Sequence, residues 1–307
     1  MVLVENSKIS SQQEGVAAIG FFDGVHKGHQ YLIKQVKDEA IKEGKFSSIL
    51  TFPQHPAKVM NPSVQLRLLT TYEEKVERIR SSAVDYCIAL PFTKELSKLT
   101  AYEFMKLLRD HYQITTLLVG YDNRFGHGRK EGFEDYCRYG VELGIKVVQA
   151  ASFHLGKSEL GSSLIRKEIE KGNVEYAAEL LGYNFFGTGV VVDGKKLGRT
   201  IGYPTANIAL KDEEKLVPGF GVYAVWGYVN GQKYGGMLNI GCRPTVAEGL
   251  SRTIEVNLFD FNENIYGKEL TLEYVKRIRD EIKFDGLTPL IKQLGSDEEV
   301  SRKILKL

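Results

Sequence analysis

The sequence predicts an α/β protein in two parts, an N-terminal parallel sheet covered by helices and a C-terminal antiparallel β-barrel closed by helices. Over roughly the first 150 residues, short apolar runs alternate with amphipathic segments, which is the pattern of βα units. From about Asn184 the texture changes to short Val, Tyr and Thr runs separated by glycines, with turn pairs Asp193-Gly194 and Asn230-Gly231, which is the pattern of a barrel. A length of 307 residues agrees with two domains.

In the first part, strands are expected over 16–22, 46–52, 86–92, 115–121 and 146–150. Between them Ile33, Val36 and Ala40 share one helical face, and Phe104, Leu107, Leu108 and His111 another. Thr71 with Glu74 and Thr100 with Glu103 form capping boxes that start two helices. A short helix in NVEYAAELLG ends at Gly182, which sets the domains as 1–183 and 184–307. The barrel strands lie in FFGTGVVV, FGVYAVWGYV, GGMLNIG, RTIEVNLFDF and KELTLEYV. The chain then closes with helices: Val275, Ile278 and Ile282 share a face, and Ser296 with Glu299 caps a last helix carrying Val300 and Ile304.

Composition excludes several classes. Hydrophobic residues at 43% and charged residues at 26% are ordinary for a globular chain. A net charge of +2 gives no support to nucleic-acid binding. Cys87, Cys137 and Cys242 are far apart and lack zinc or disulfide spacing. No apolar run approaches the roughly 18 residues of a membrane span, and the first residues lack the features of a secretory signal. A reducing, cytoplasmic location is expected, with small-molecule partners and no implied oligomeric state.

The run IGFFDGVHKGHQYLI passes from a strand into a helix, where an open α/β sheet places its ligand. Gly24 and Gly28 allow backbone N–H groups to approach an anion, and the helix N-terminus adds partial positive charge. His26 and His29 can donate ring N–H groups to phosphoryl oxygens. A plain glycine turn with two surface histidines, or a His-x-x-His metal pair, remains an alternative on these residues alone. Farther on, Gly161-Ser162-Ser163-Leu164-Ile165-Arg166 opens another helix, with Ser162, Ser163 and Arg166 suited to distal phosphates. The segment ASFHLGKS misses the P-loop, since Ala151 replaces its first glycine and His154 fills the loop.

These residues resemble the His-x-Gly-His nucleotidyltransferases, and among them the FMN adenylyltransferase module of bacterial bifunctional riboflavin kinase/FAD synthetases. The similarity extends through TFPQHP at 51–56 and LLVGYDNRFGHGR at 117–129. It implies a Rossmann-like nucleotidyltransferase domain in which Asp122 and Phe125 line the flavin side. The sequence departs from the family pattern at Phe21, Pro53-Gln54, Asn123 and Gly161.

In the second part, GKKLGRTIGYPTANI holds a basic loop with Gly198 and Arg199, followed by Pro204-Thr205-Ala206-Asn207. Thr205 and Asn207, two apart on an extended segment, point the same way and can share one Mg²⁺ with ATP phosphates. A Gly-Pro turn before an edge strand fits the spacing equally well. With FGVYAV, LNIGCRPT, EVNLFDF and IYGKEL following in order, the segment resembles the riboflavin kinase domain. The resemblance implies that Glu255 is the base accepting the ribityl hydroxyl proton, and that Thr205 and Asn207 bind Mg²⁺ and ATP. It also implies that Arg279 lies near the flavin. From the residues alone, Glu255 reads as a solvated strand carboxylate and Arg279 as an exposed helical arginine. The expectation is an enzyme that phosphorylates riboflavin to FMN and then joins FMN to AMP from ATP, releasing pyrophosphate. Another nucleotidyltransferase or a non-catalytic flavin sensor stands as the alternative.

Overall fold

The computed structural model describes residues 1–5, 7–9, 13–121, 123–155, 158–194, 197–244 and 250–307. The chain divides into two compact units, Met1–Ser162 and Ser163–Leu307.

The first unit runs β1 (Val2–Glu5), β2 (Gly15–Ile19), α1 (Lys27–Glu43), β3 (Phe46–Thr51), α2 (Pro56–Met60), α3 (Tyr72–Ser81), β4 (Tyr86–Ala89), α4 (Ala101–Tyr112), β5 (Ile114–Val119), α5 (Phe133–Leu143) and β6 (Lys146–Gln149). The strands form one parallel sheet in the order β1-β4-β3-β2-β5-β6. A two-stranded antiparallel ribbon of β7 (His154–Leu155) and β8 (Ser158–Glu159) follows. All five expected strands are present. β1 is an addition: four residues with no flanking periodicity, ordered by pairing in register with β4 from Val2↔Tyr86 to Glu5↔Ala89.

Helix burial follows from sequence spacing. α1 buries Ile33, Val36 and Ala40. α4 buries Ala101, Phe104, Met105, Leu108 and Tyr112, so its apolar stripe lies to one side of the expected face and His111 is exposed. Both capping boxes form: the Thr71 N–H donates to Glu74 at 3.0 Å and the Thr100 N–H to Glu103 at 2.9 Å.

The second unit begins with α6 (Ser162–Glu170, its first residue at the division) and α7 (Val174–Leu181), which ends on Gly182 at φ 82°. Next come β9 (Phe186–Val192), α8 (Leu197–Thr200), β10 (Ala206–Leu210), β11 (Gly221–Val229), β12 (Gln232–Pro244), β13 (Leu250–Leu258), β14 (Glu269–Arg279) and α9 (Leu287–Leu305). The strands close into an antiparallel barrel in the order β10-β13-β12-β11-β14-β9. The compact units part earlier than Gly182 because α7 packs on β14, where Lys276 pairs with Glu175 at 2.8 Å.

Asn230 and Gly231, at φ 53° and 76°, make the expected tight hairpin between β11 and β12. Asp193-Gly194 instead opens the longer connection that holds α8.

Two helical expectations fail. Val275 and Ile278 belong to β14, where the pairing with β11 skips both of them. Each is the extra residue of a β-bulge, and two bulges three residues apart reproduce a helical spacing within a strand. Both pack against the cluster of Ala224, Met237, Phe259 and Leu305. The last helix starts at Leu287, with Pro289 tolerated in its first turn, so Ser296 is interior and is not a cap.

Thr100→Ala removes one half of a capping box and is expected to cost about 1 kcal/mol of stability. Urea unfolding of the full chain measures this, and an unchanged midpoint would contradict the cap's role.

Candidate functional site

An open parallel sheet binds its ligand outside the carboxyl ends of the strands, where strand order reverses. The chain builds β3 and β4 on one side of β2 and β5 and β6 on the other, so the switch point lies between β2 and β5. The segments that follow these two strands are the ones the sequence singles out. The Asn123 carboxamide donates to the Ile19 carbonyl and ties one segment to the other.

Backbone conformation shapes the first segment. Phe22, Gly24 and Val25 have φ of 57°, 76° and 36°, a left-handed run that only glycine adopts without cost. Asp23, 5% exposed, holds it in place. Its Oδ1 accepts the Leu69 N–H at 2.9 Å and the Thr70 N–H at 3.1 Å. The Gly24 N–H donates to Thr70 Oγ1 at 3.0 Å, and Ser162 Oγ donates to the Asp23 carbonyl at 3.0 Å. The Gly24 amide and the Ser162 proton, expected to face phosphate, are thus engaged within the protein. Gly24 is glycine for its φ.

α1 starts on His26, which is buried and whose Nδ1 accepts the His29 N–H at 3.3 Å. A neutral His26 therefore carries its proton on Nε2. The two imidazoles stack with centroids 3.7 Å apart, and Phe22 meets His29 edge-on at 5.1 Å. A side chain on Gly28 would begin 3.2 Å from the His26 ring, so glycine leaves room for that ring. Among the described residues, no acceptor meets the Lys27 and Gly28 N–H groups, which are the positive end of the helix. Burial, then His26, then Lys75 hold His29 well below the ordinary imidazole range. Its Nδ1 is buried without a hydrogen-bond partner.

Phe125, after β5, is half-buried and stacks on Tyr136 at 4.1 Å, with its N–H donating to the Tyr136 hydroxyl at 3.0 Å. Asp122 lies outside the described residues. Ser163, exposed, and Arg166, half-buried, sit on α6 within the second unit.

The barrel brings the second set of residues together. Glu255 on β13 is paired across the ladders with Asn207 on β10 and Asn239 on β12, which places the three in one row. A cavity of about 260 Å³ is lined by Gly198, Thr205, Glu255 and Arg279, with Tyr203 and Phe284 among its ring-bearing walls. A larger cavity of about 800 Å³ is lined by Arg199, Thr205, Asp193 and Tyr266, among others. Thr205 lines both. A side chain on Gly198 would start 2.1 Å from the Tyr203 carbonyl, which excludes any other residue there.

Arg279 is a strand residue, where the sequence reading had a helical one. Its guanidinium is bidentate on Asp297, with Nε–Oδ1 at 2.9 Å and Nη2–Oδ2 at 2.6 Å. Asp297 is 2% exposed and also accepts from Gln293.

Sequence reasoning missed Asp23, Thr70, Lys75, Asn257 and Asp297. Asn257, two residues beyond Glu255, donates to the Pro204 carbonyl at 2.7 Å and fixes the segment that carries Thr205. That same-face spacing was the available signal. Lys75 offered none.

The first site has the form of a nucleotidyltransferase cradle, and the second that of a phosphoryl-transfer barrel. Comparison with known proteins agrees. The FAD synthetase family matches residues 8–164 and the riboflavin kinase family residues 181–305. The bifunctional riboflavin kinase/FMN adenylyltransferase of Listeria monocytogenes is 38% identical over 94% of this chain and 91% of its own length. Those of Bacillus subtilis and Escherichia coli K12 are each 35% identical, covering 94% and 99% of this chain and 92% and 97% of their own lengths. A crystal structure titled macrolide-efflux protein, from Streptococcus pneumoniae, superposes with a TM-score of 0.90 at 33% identity, covering 98% of this chain and 99% of its own. Its title names transport, whereas among the described residues here no helix is long and apolar enough to cross a membrane.

Fold, sites and relatives thus define a two-domain transferase that handles flavin and ATP. The chain belongs to the bifunctional riboflavin kinase/FMN adenylyltransferase family.

The lowered His29 value fixes a pH dependence. As pH falls below about 6.5, the unfolded chain takes up a proton that folded His29 refuses, so stability falls with pH. The melting temperature is expected to drop between pH 6.5 and 5 by less in His29→Gln than in the wild type. Parallel curves would show that His29 is not the group responsible.

Proposed function

We propose that adenylyl transfer is carried by residues 1–183 and riboflavin phosphorylation by residues 184–307, through the residues described. In the first reaction an FMN phosphate oxygen attacks the α-phosphorus of ATP and pyrophosphate leaves. His26 Nε2 and neutral His29 donate to the phosphoryl oxygens as charge develops, and the Lys27 and Gly28 N–H groups add the positive end of α1. Gly28 serves by leaving space for His26. Ser163 and Arg166 take the distal phosphates, while Phe125 and Asp122 serve the flavin side. Ser162 and Gly24 act at one remove, by holding Asp23 and Thr70.

In the second reaction the ribityl 5′-hydroxyl attacks the γ-phosphorus of ATP, and Glu255 accepts its proton. The observation that carries this reading is Thr205, which lines both the cavity containing Glu255 and the cavity containing Arg199. ATP in the larger cavity and riboflavin in the smaller would meet there. Arg199 and Gly198 serve the ATP side. Arg279, held by Asp297, forms part of the flavin-side wall.

The Thr205 hydroxyl and Asn207 carboxamide are hard oxygen donors that suit Mg²⁺. Among the described residues, no group of three or more His, Cys, Asp or Glu could hold a metal alone, which fits an ion that arrives with nucleotide. Bound there, Mg²⁺ would neutralise phosphate charge. The three cysteines are free thiols, in keeping with a reducing cytoplasm.

Glu255→Gln is expected to reduce riboflavin phosphorylation by about 10²- to 10⁴-fold, because the amide keeps the shape and loses the basicity. FMN supplied to that variant is still converted to FAD. Wild-type FMN production at saturating riboflavin and MgATP would return Glu255 to a solvated strand carboxylate.

His29→Ala is expected to show the reverse pattern, with FAD formation reduced by about 10²- to 10³-fold and FMN formation intact. Chromatographic separation of FMN from FAD reads both variants. Loss of both activities in either one would contradict independent sites.

A further inference from the structure

Lys75 has no place in the reading above, and the run YEEKVER does not mark it. Glu73 and Glu77 of the same helix are exposed, yet Lys75 is 1% exposed. Its ammonium lies at the carboxyl end of the sheet, where it donates to the carbonyl of Phe52, the residue after β3, at 2.8 Å. It also sits 3.8 Å from the centroid of the Phe21 ring in the segment after β2. Phe21 in turn meets His55 edge-on at 4.4 Å and accepts from Thr51 Oγ1 at 3.0 Å. These strand ends carry the cradle.

Burying an ammonium on one carbonyl and an aromatic face is costly, and a methionine would fill similar space without that cost. Asp23 favours the charge through space, without a hydrogen bond between the two. A buried charge acts over several ångströms in the low-dielectric interior. The group it acts on within the cradle is His29, whose protonation it opposes.

We propose that Lys75 is a positioning residue of the adenylyl-transfer site, a fixed positive charge beneath the strand ends that draws the ATP polyphosphate onto the His26–His29 cradle. It also adds to the burial and the His26 charge that disfavour protonation of His29. The proposal rests on the cradle reading given above.

Burial brings the Lys75 ammonium down to about 8. The groups that face it are the Asp23 carboxylate, His29, which titrates lower, Cys87, pushed up to about 11, and Tyr72, raised further. Lys75 is therefore the group among these that changes charge between pH 7 and 9.5. The test is kcat/KM for ATP in FMN adenylylation across that range, using the full chain as wild type, Lys75→Met, Lys75→Gln and His29→Ala.

The wild-type value is expected to fall as pH rises through about 8, because that parameter reports groups of the free enzyme. Both Lys75 variants should lose about tenfold at neutral pH, less than a directly contacting donor would cost, and show no alkaline fall. Their change should lie in KM for ATP more than in kcat, with riboflavin phosphorylation unaffected. A lysine of merely structural importance would lower activity equally at every pH, together with melting temperature. Variants with the wild-type profile, or a wild type with no alkaline fall, overturn the proposal, and the wild-type curve decides if the variants do not fold. If His29→Ala keeps FAD formation, the cradle reading fails, an outcome distinct from failure at Lys75.

Discussion

The N-terminal site depends on one buried carboxylate. Asp23 accepts two backbone N–H groups from the Leu69–Thr70 segment, and the Thr70 hydroxyl receives the Gly24 amide. This crosslink holds Phe22 and Val25 in left-handed conformations that neither side chain favours, and it delivers His26 to the N-cap of α1. The strain and the desolvated acid are local costs offset by hydrogen bonds that reach to the start of α3. Charged hydrogen bonds of this kind are worth about 1.5–3 kcal/mol each. The two imidazoles can then stack with one ring nitrogen oriented by a main-chain amide, a geometry that a surface pair of histidines would not hold.

The barrel solves a different problem with neutral groups. Thr205 and the ladder neighbours Asn207 and Asn239 put neutral groups beside Glu255, while Glu281 and the Arg279-paired Asp297 also line the cavity. Its precision comes from main-chain contacts: Asn257 holds the Pro204 carbonyl, and Gly198 lets the Tyr203 carbonyl pass close by. The Arg279–Asp297 pair, with its carboxylate buried and its guanidinium half-buried, joins a barrel strand to α9 across the cavity wall. Positioning, one of the effects on which phosphoryl transfer depends, is thus built into the scaffold.

Much of this was legible in the sequence because it is local. The Thr71 and Thr100 capping boxes, the Gly182 helix end and the Asn230-Gly231 hairpin each depend on neighbours within a few residues, and all four are present. The His-x-Gly-His run and the PTAN run likewise hold their chemistry in a few consecutive positions. What escaped depends on partners far away in the chain. β1 exists through its pairing with β4, and Lys75 lies buried where the Phe21 ring and the Phe52 carbonyl meet its ammonium. The Gly24 amide looked available for phosphate until Thr70, 46 residues on, was seen to accept it. Val275 and Ile278 misled for a third reason, since bulges break the two-residue period on which strand recognition rests.

Those bulges bear on how the barrel assembles. β14 pairs with β9 residue for residue over Glu269–Glu273, and beyond that stretch it absorbs two extra residues against β11. A strand with a regular first part and a bulged second part behaves like a cut key. Sliding it by a single position would mismatch both neighbours and turn its side chains to the wrong face. The seam therefore admits one alignment, and Arg279 at its end is carried into place when the strand docks. The strand that completes the barrel also supplies part of the wall around Glu255.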